Sequence, residues 1–491
     1  MDTSISAMIL CDFYKISHRE QYPEGTEYVY STWTPRESRL EGVSEVLAFG
    51  HQGFIKEYLV NFFEQHFFKQ PKDKVLKSYS RIIKSTLGVD NPPIQHIADL
   101  HDLGYLPLSI KALPEGTLVP VRTPVLTIIN TDPRFFWLTN YIETLASSEL
   151  WMSSTSATIA FQYRRILEKY ARETGGDLGF VPFQGHDFSM RGMGGLHSAM
   201  LSGLGHLVSF VGTDTIPAIH RAEKFYNANV ETELVGTSIP ATEHSVMCAN
   251  GQNERDVFKR LITEVYPNGF LSVVSDTWDF WNIVGVVLPE MKDLIMKRNG
   301  KLVIRPDSGD PVKILCGDAE SENIWAKKGL IESLWDIFGG IKNEKGFKVL
   351  DSHIGAIYGD SITIARCQSI CSLLKEKGFA STNVVYGIGS YTYQYNTRDT
   401  FGFALKSTAC VIKGHEYQLF KNPKTDSGVK KSQKGKIAVV LENGKVTHKE
   451  ELNLNQEYPG DMLREVFRNG KILVDEKLSD IRTRVQGFLN S

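Results

Sequence analysis

Between Ser209 and Gly389 the chain repeats one pattern: a short apolar run that stops on a polar or glycine tip, then a helical pattern. Ser209-Phe-Val-Gly-Thr-Asp214 precedes Ile216–Tyr226, and Phe270-Leu-Ser-Val-Val-Ser-Asp276 precedes Trp278–Ile283. Leu302–Asp307 comes before Glu322–Phe338, Gly355-Ala-Ile-Tyr-Gly-Asp360 before Ser361–Lys377, and Asn383-Val-Val-Tyr-Gly-Ile-Gly389 closes the series. Strand-then-helix units in succession imply parallel strands joined by right-handed crossovers. The fold class is therefore α/β, and the number of units favours a closed barrel over an open sheet. In either arrangement the ligand site lies at the carboxyl ends of the strands. That places Asp214, Asp276, Asp307, Asp360 and Gly389 around one mouth. One Asp after a strand is ordinarily a helix N-cap; several in register with a repeat point to a shared site.

The flanks read differently. Within residues 1–150, Asp12-Phe-Tyr-Lys-Ile-Ser-His18 has the form of a capped helix start, and Glu27-Tyr-Val-Tyr-Ser-Thr-Trp33 alternates like a half-buried strand. Helices are expected over Val46–Phe68 and Asp73–Leu87, and short strands at Leu108-Ser-Ile-Lys-Ala, Leu118-Val-Pro-Val and Pro124–Asn130. A long helix, about Ser153–Glu173, leads out of this mixed α+β region. The last hundred residues are β-rich and basic. Lys421, Lys424, Lys430, Lys431, Lys434 and Lys436 read mainly as a solvated loop before the strand Lys436-Ile-Ala-Val-Val-Leu441.

A chain of 491 residues suggests two or three domains. Its net charge of −2 gives no bulk attraction to nucleic acid. The six cysteines are scattered and form no zinc set, which fits a reduced, cytoplasmic protein. The N-terminal stretch lacks the basic leader and apolar core of a signal peptide, and no apolar run approaches the ~20 residues of a membrane span.

Three clusters carry chemistry. Lys301-Leu-Val-Ile-Arg-Pro-Asp-Ser-Gly-Asp-Pro311 is a strand stopped by Pro306, offering Arg305, Asp307, Ser308 and Asp310 around Gly309. Carboxylates that accept from sugar hydroxyls beside a guanidinium that can fork onto phosphate suit a phosphorylated sugar. His186-Asp-Phe-Ser-Met-Arg191-Gly192 sets an aromatic between His-Asp and Arg, and Phe188 could stack on a planar ring or be plain core. In Pro240-Ala-Thr-Glu-His-Ser245, Glu243 adjoins His244 at the start of a helix, favouring a working imidazole. Gly359-Asp360 and Gly387-Ile-Gly389 add backbone N–H groups suited to phosphate, although neither is a P-loop or a dinucleotide fingerprint.

On these motifs the chain resembles the nicotinamide phosphoribosyltransferases, a branch of the type II phosphoribosyltransferases. The resemblance also rests on Asp12-Phe-Tyr-Lys15, Gly212-Thr-Asp-Thr215, Ser272-Val-Val-Ser-Asp276, Thr397-Arg-Asp399, Phe420-Lys421 and Phe467-Arg-Asn-Gly-Lys471, and so runs nearly end to end. It implies an atypical β/α barrel over residues 151–389 and a second α+β domain formed from both chain ends, 1–150 plus 390–491. It further implies a homodimer with shared active sites, using nicotinamide, phosphoribosyl pyrophosphate, Mg2+ and ATP. By the same resemblance Phe188 and the partner's Tyr14 sandwich the pyridine ring, and Asp214 accepts from the carboxamide. Asp307, Gly359 and Asp360 hold the ribose. Arg191, Arg305 and the loop at Gly389 meet phosphate, with Arg36, Arg398, Lys406, Lys421 and Lys430 from the partner. His244 is phosphorylated by ATP beside Glu243. The alternative within the same chemistry is a nicotinate phosphoribosyltransferase, against which Asp214 argues by charge. Departures from the family pattern are Ser390 in place of a glycine, Gly355 and Ala404 in place of polar residues, and Met190 in place of an aromatic.

Overall fold

The computed structural model describes residues 5–421 and 433–490. The chain divides into two compact units, one of Met1–Thr158, Ala222–Ala228 and Asn396–Phe488, the other of Ile159–Arg221, Asn229–Tyr395 and Leu489–Ser491. Among the described residues no helix is long and apolar enough to cross a membrane.

The second unit holds six parallel strands in the order Gly212–Thr213, Gly185–Asp187, Val384–Ile388, Ile354–Tyr358, Leu302–Arg305, Leu271–Val274. The stretch 237–241 joins the two outer strands: Thr237 bridges Gly212, and Ala241 bridges Ser272, both in parallel sense. The Thr213 N–H donates to Thr237 O (2.9 Å) and the Ser272 N–H to Pro240 O (2.9 Å). With that stretch as a stave the sheet closes on itself, and every stave lies next to the one that follows it in the chain. Leu271–Val274 and Ile354–Tyr358 are buried at every position. That is the signature of parallel strands covered on both faces.

The first unit is built on a seven-stranded sheet whose central strands are antiparallel. Thr26–Thr34 lies between Ala404–Ile412 and Leu126–Asn130, followed outward by Leu108–Ala112 and Arg464–Arg468. Strands from both ends of the sequence therefore interleave. Under the sheet the Trp33 and Phe403 rings stack at 5.2 Å, both almost fully buried, in a core with Phe54, Phe63, Phe67 and Tyr79.

Several expected elements are corrected. The helix expected over Val46–Phe68 begins at His51, because Glu45–Ala48 pairs as a strand with Thr117–Pro120 and Gly50 turns the chain at φ 103°. A short, wholly apolar run does not by periodicity tell strand from helix. The long helix starts at Glu143, ten residues before the expected Ser153. In the Ser209–Asp214 run only Gly212–Thr213 is strand, and His186 lies in a further strand, Gly185–Asp187, that the repeat from Ser209 onward does not include. After Leu302–Arg305 a helix at Pro311–Cys316 intervenes, N-capped by the Asp310 carboxylate accepting from Val312 and Lys313 N–H. Thr26–Thr34 does not alternate: it is buried at every position from Val29 to Thr34, as a central strand with neighbours on both sides.

Candidate active site

The strands of the barrel end in a continuous set of contacts. At the Gly185–Asp187 strand, Phe188 follows with its N–H bonded to Ile388 O (3.0 Å), which fixes its ring at the mouth. The His186 and Phe188 rings lie 4.6 Å apart, and the Arg305 guanidinium sits 5.0 Å from the Phe188 ring centre. A cation over an aromatic face is attractive and holds both groups in place. Gly387 permits this packing, since a Cβ there would stand 2.7 Å from Phe188 Cδ2.

Asp214, at the tip of the next stave, accepts at Oδ1 from Ser238 Oγ (2.6 Å) and is bonded there to His186 Nε2 (2.9 Å). Its Oδ2 carries no hydrogen bond from the described residues, and the side chain is 48% exposed. Burial alone would raise this carboxyl, but His186, Ser238 and Arg305 outweigh it and hold Asp214 below the usual carboxylate range. Asp214 is thus ionised at neutral pH with one oxygen directed away from its own partners.

On the other side of the mouth Asp276, nearly buried, is the joint of the site. Its Oδ2 accepts from Asp307 N–H (3.0 Å) and Ser308 Oγ (2.5 Å), and its Oδ1 meets His244 Nε2 at 3.1 Å. Burial raises the Asp276 carboxyl, but these bonds prevail and leave it lowered. An ionised carboxylate only accepts, so His244 Nε2 carries the proton, and in the neutral imidazole Nδ1 is the nitrogen with the lone pair. His244 is 47% exposed and opens the His244–Ala249 helix, whose N-cap is Glu243; the Glu243 carboxylate accepts from Ser245 Oγ. Tyr358 Oη donates to Ser308 O (2.9 Å) and Gly309 O (3.0 Å), pinning the turn from beneath.

Arg305 Nη2 and Asp307 Oδ1 stand 3.5 Å apart, yet Arg305 Nε and Asp307 Oδ1 are both buried without a hydrogen-bond partner. Unsatisfied buried groups are costly, and a native structure keeps them where a ligand supplies the missing bond. Gly359 leans on the same pair: a Cβ would stand 2.1 Å from Asp307 Oδ1 and 2.8 Å from Arg305 Nε. Asp360 is exposed beside it, its Oδ1 4.0 Å from where a Gly389 Cβ would stand. Arg191 lies exposed in the short turn Met190–Gly192. A cavity of about 480 Å³ runs from Phe188, Asp214 and Arg305 down the barrel axis to residues before the strands, among them Lys301, Phe180 and Thr382.

The remaining expected residues belong to the sheet unit. Tyr14 is 56% exposed, edge-on to His18. Arg36 N–H donates to Phe401 O (3.0 Å), next to the turn Arg398–Thr400, and Lys406 stands opposite Thr32 in the paired strands, with its ammonium 3.1 Å from Glu143 Oε1. Lys421 is exposed, and Lys430 lies outside the described residues. Sequence reading left Asp276 among the strand tips without a role and missed Ser238 and Tyr358 altogether. The closeness of Ser238 to the Pro240–Ser245 cluster was the one signal available for it.

Residues 183–471 match the nicotinate phosphoribosyltransferase (NAPRTase) family. The chain belongs to that family. Residues 6–110 match a narrower model, the nicotinamide phosphoribosyltransferase N-terminal domain. Over 504 aligned positions the chain is 50% identical to the nicotinamide phosphoribosyltransferase of Acinetobacter baylyi, covering 100% of this chain and 99% of that one. It is 37% identical to the enzyme of the same name from Mycoplasma pneumoniae, covering 87% and 94%. Among solved structures, the fold is similar to nicotinate-nucleotide pyrophosphorylase from Pyrococcus furiosus (TM-score 0.59, 14% identity, 100% and 97% covered). It is also similar to human nicotinic acid phosphoribosyltransferase (TM-score 0.51, 15% identity, 97% and 93% covered).

Proposed function

We propose that this protein is a nicotinamide phosphoribosyltransferase, joining nicotinamide to phosphoribosyl pyrophosphate to give nicotinamide mononucleotide and pyrophosphate. The observation that carries the choice of ring is Asp214: an ionised carboxylate with a free oxygen at the mouth beside Phe188 and Arg305. It accepts from a carboxamide N–H and repels the carboxylate of nicotinate. Phe188 and Tyr14 of the partner subunit sandwich the ring, so the pyridine nitrogen faces the anomeric carbon.

The C–N bond forms as the C–O bond to pyrophosphate breaks, through a state with oxocarbenium character in which the leaving oxygen takes the electron pair. Asp307, Gly359 and Asp360 hold the ribose, and the unpartnered Asp307 oxygen accepts from a ribose hydroxyl. Arg191, Arg305 and the Gly389 loop, with Arg36, Arg398, Lys406, Lys421 and Lys430 of the partner subunit, receive the phosphates. Among the described residues no group of three or more His, Cys, Asp or Glu could hold a metal. Magnesium would be carried mainly by the substrate pyrophosphate, where it would stabilise the leaving group. ATP acts at His244, whose Nδ1 lone pair attacks the terminal phosphorus and displaces ADP. Asp276 ties that histidine to the Asp307 turn, so a charge change at His244 reaches the ribose subsite through two bonds.

The test is a product assay with nicotinamide or nicotinate plus phosphoribosyl pyrophosphate, with and without ATP. Nicotinamide mononucleotide is expected, with ATP stimulating; preferential use of nicotinate would overturn the reading. His244→Ala is expected to abolish the stimulation while keeping ATP-independent turnover, and stimulation that survives the change would remove the phosphohistidine.

A further inference from the structure

Glu143, in the sheet unit, opens the long helix Glu143–Thr174 and holds two lysines on one carboxylate. Its Oε2 pairs with the Lys15 ammonium, and its Oε1 stands 3.1 Å from that of Lys406. The two cations differ in setting: the Lys15 side chain is 2% exposed and that of Lys406 54%. A buried ammonium needs a counter-charge, so Lys15 and Glu143 together make a fixed and nearly neutral anchor. Lys406 is then held by one N–H group without losing its charge toward solvent.

The same anchor carries Tyr14. Lys15 Nζ donates also to Asn140 Oδ1 (2.7 Å), and the same oxygen meets His18 Nδ1 at 2.9 Å. Tyr14 lies edge-on to His18 with ring centres 4.7 Å apart, and its ring centre is 5.0 Å from Lys15 Nζ. Asp12 is tied to the residue after Glu143: its N–H donates to Thr144 Oγ1 (3.3 Å), and that hydroxyl donates to Asp12 Oδ2 (3.1 Å). The stretch Asp12-Phe-Tyr-Lys15 is in this way clamped onto residues 140–144.

We propose that Glu143 is a positioning residue for the reaction proposed above, on which this inference rests. Through Lys406 it sets a phosphate-binding ammonium, and through Lys15 it sets the ring of Tyr14, two groups which that reading lends to the partner subunit's site. A lysine stem is flexible, and holding it in advance removes part of the ordering cost that binding phosphate carries. Glu143 acts through these two side chains rather than on a substrate.

Steady-state kinetics of the full-length chain provide the test. Glu143→Gln is expected to raise the KM for phosphoribosyl pyrophosphate about tenfold, the scale of one charge-assisted hydrogen bond. The KM for nicotinamide is expected to rise about threefold, the scale of one cation–π contact, and kcat to change less than either. In a Lys406→Ala background the same substitution is expected to raise the KM for phosphoribosyl pyrophosphate no further, because the two residues act as one unit. Glu143→Asp, which keeps the charge and shortens the reach, gives the same comparison should the glutamine variant not fold. An unchanged or lower KM for phosphoribosyl pyrophosphate would overturn the proposal. So would a tenfold rise in both backgrounds, which is what general loosening of the fold produces. A KM for nicotinamide left as it was would overturn the link to Tyr14. Calorimetric titration of phosphoribosyl pyrophosphate makes the tenfold comparison without turnover, so failure of the product assay counts against the reaction alone, and a parent chain that does not bind it would overturn both.

Discussion

The barrel and the antiparallel sheet handle polar groups in opposite ways. In the barrel, strands such as Leu271–Val274 and Ile354–Tyr358 are buried along their length, and polar groups gather at the strand ends, where Asp276 meets Asp307 and Asp307 meets Arg305. In the sheet, polar side chains stand within the strands: Ser31 pairs with Ser407 at 3.0 Å, and Lys406 projects from mid-strand. A barrel strand is enclosed on both faces and expels charge to its ends. A sheet strand with a solvated face displays it along the way. The barrel thus holds fixed, mutually braced groups at its mouth, and the sheet unit displays exposed cations such as Lys406.

This contrast is open to attack, beginning with the largest effect. Trp33→Ala removes the ring stacked on Phe403 in the sheet unit's core and is expected to cost about 3–5 kcal/mol of stability, measured by denaturant unfolding. Asp307→Ala is expected to lower kcat by about 10²–10³ with little change in the melting temperature, because its side chain braces only Arg305. Lys406→Ala, its counterpart on the sheet, is expected instead to raise the KM for phosphoribosyl pyrophosphate and spare kcat. If both variants lose kcat alike, the division of labour between the units is wrong.

Glu254 provides a titration of the barrel alone. It is 5% exposed, and burial, with Asp279 and Asp276 nearby, raises its pKa from 4.5 to about 7. Between those values the folded chain keeps a proton that the unfolded chain releases. Stability contributed by this group is therefore full below about 4.5, falls as pH rises to about 7, and is flat above, by up to roughly 3 kcal/mol. Unfolding followed across that window should show the slope, and Glu254→Gln should remove it. The smallest change is Asp214→Asn, expected to reduce discrimination between nicotinamide and nicotinate by about tenfold, the scale of one charged contact. Selectivity left as it was would move the recognition of the amide elsewhere.

Much of the barrel was legible because its signal is local. The strands Leu271–Val274, Leu302–Arg305, Ile354–Tyr358 and Val384–Ile388 are mainly apolar runs with an acidic or glycine tip, and in a barrel whose consecutive staves are neighbours the tips converge without further information. The turn Arg305–Gly309 was visible for the same reason. The stave at 237–241 was not, because it joins the ring through single bridges rather than a β-rich run. Nor was the boundary at Gly50, where Val46, Leu47, Ala48 and Phe49 fit helix and strand equally.

The sequence by itself determined the parallel strand-and-helix rhythm, the acidic tips, and the motifs by which the family is known. Tertiary structure alone decided how those tips are wired. Ser238 and His186 share one oxygen of Asp214, Asp276 couples His244 to the Asp307 turn, and Gly359 makes room for the Arg305–Asp307 pair. These contacts link residues 24 to 54 positions apart at distances of a few ångströms. No periodicity in a chain encodes such pairings, because they arise only when separate strands are brought into register around a common axis.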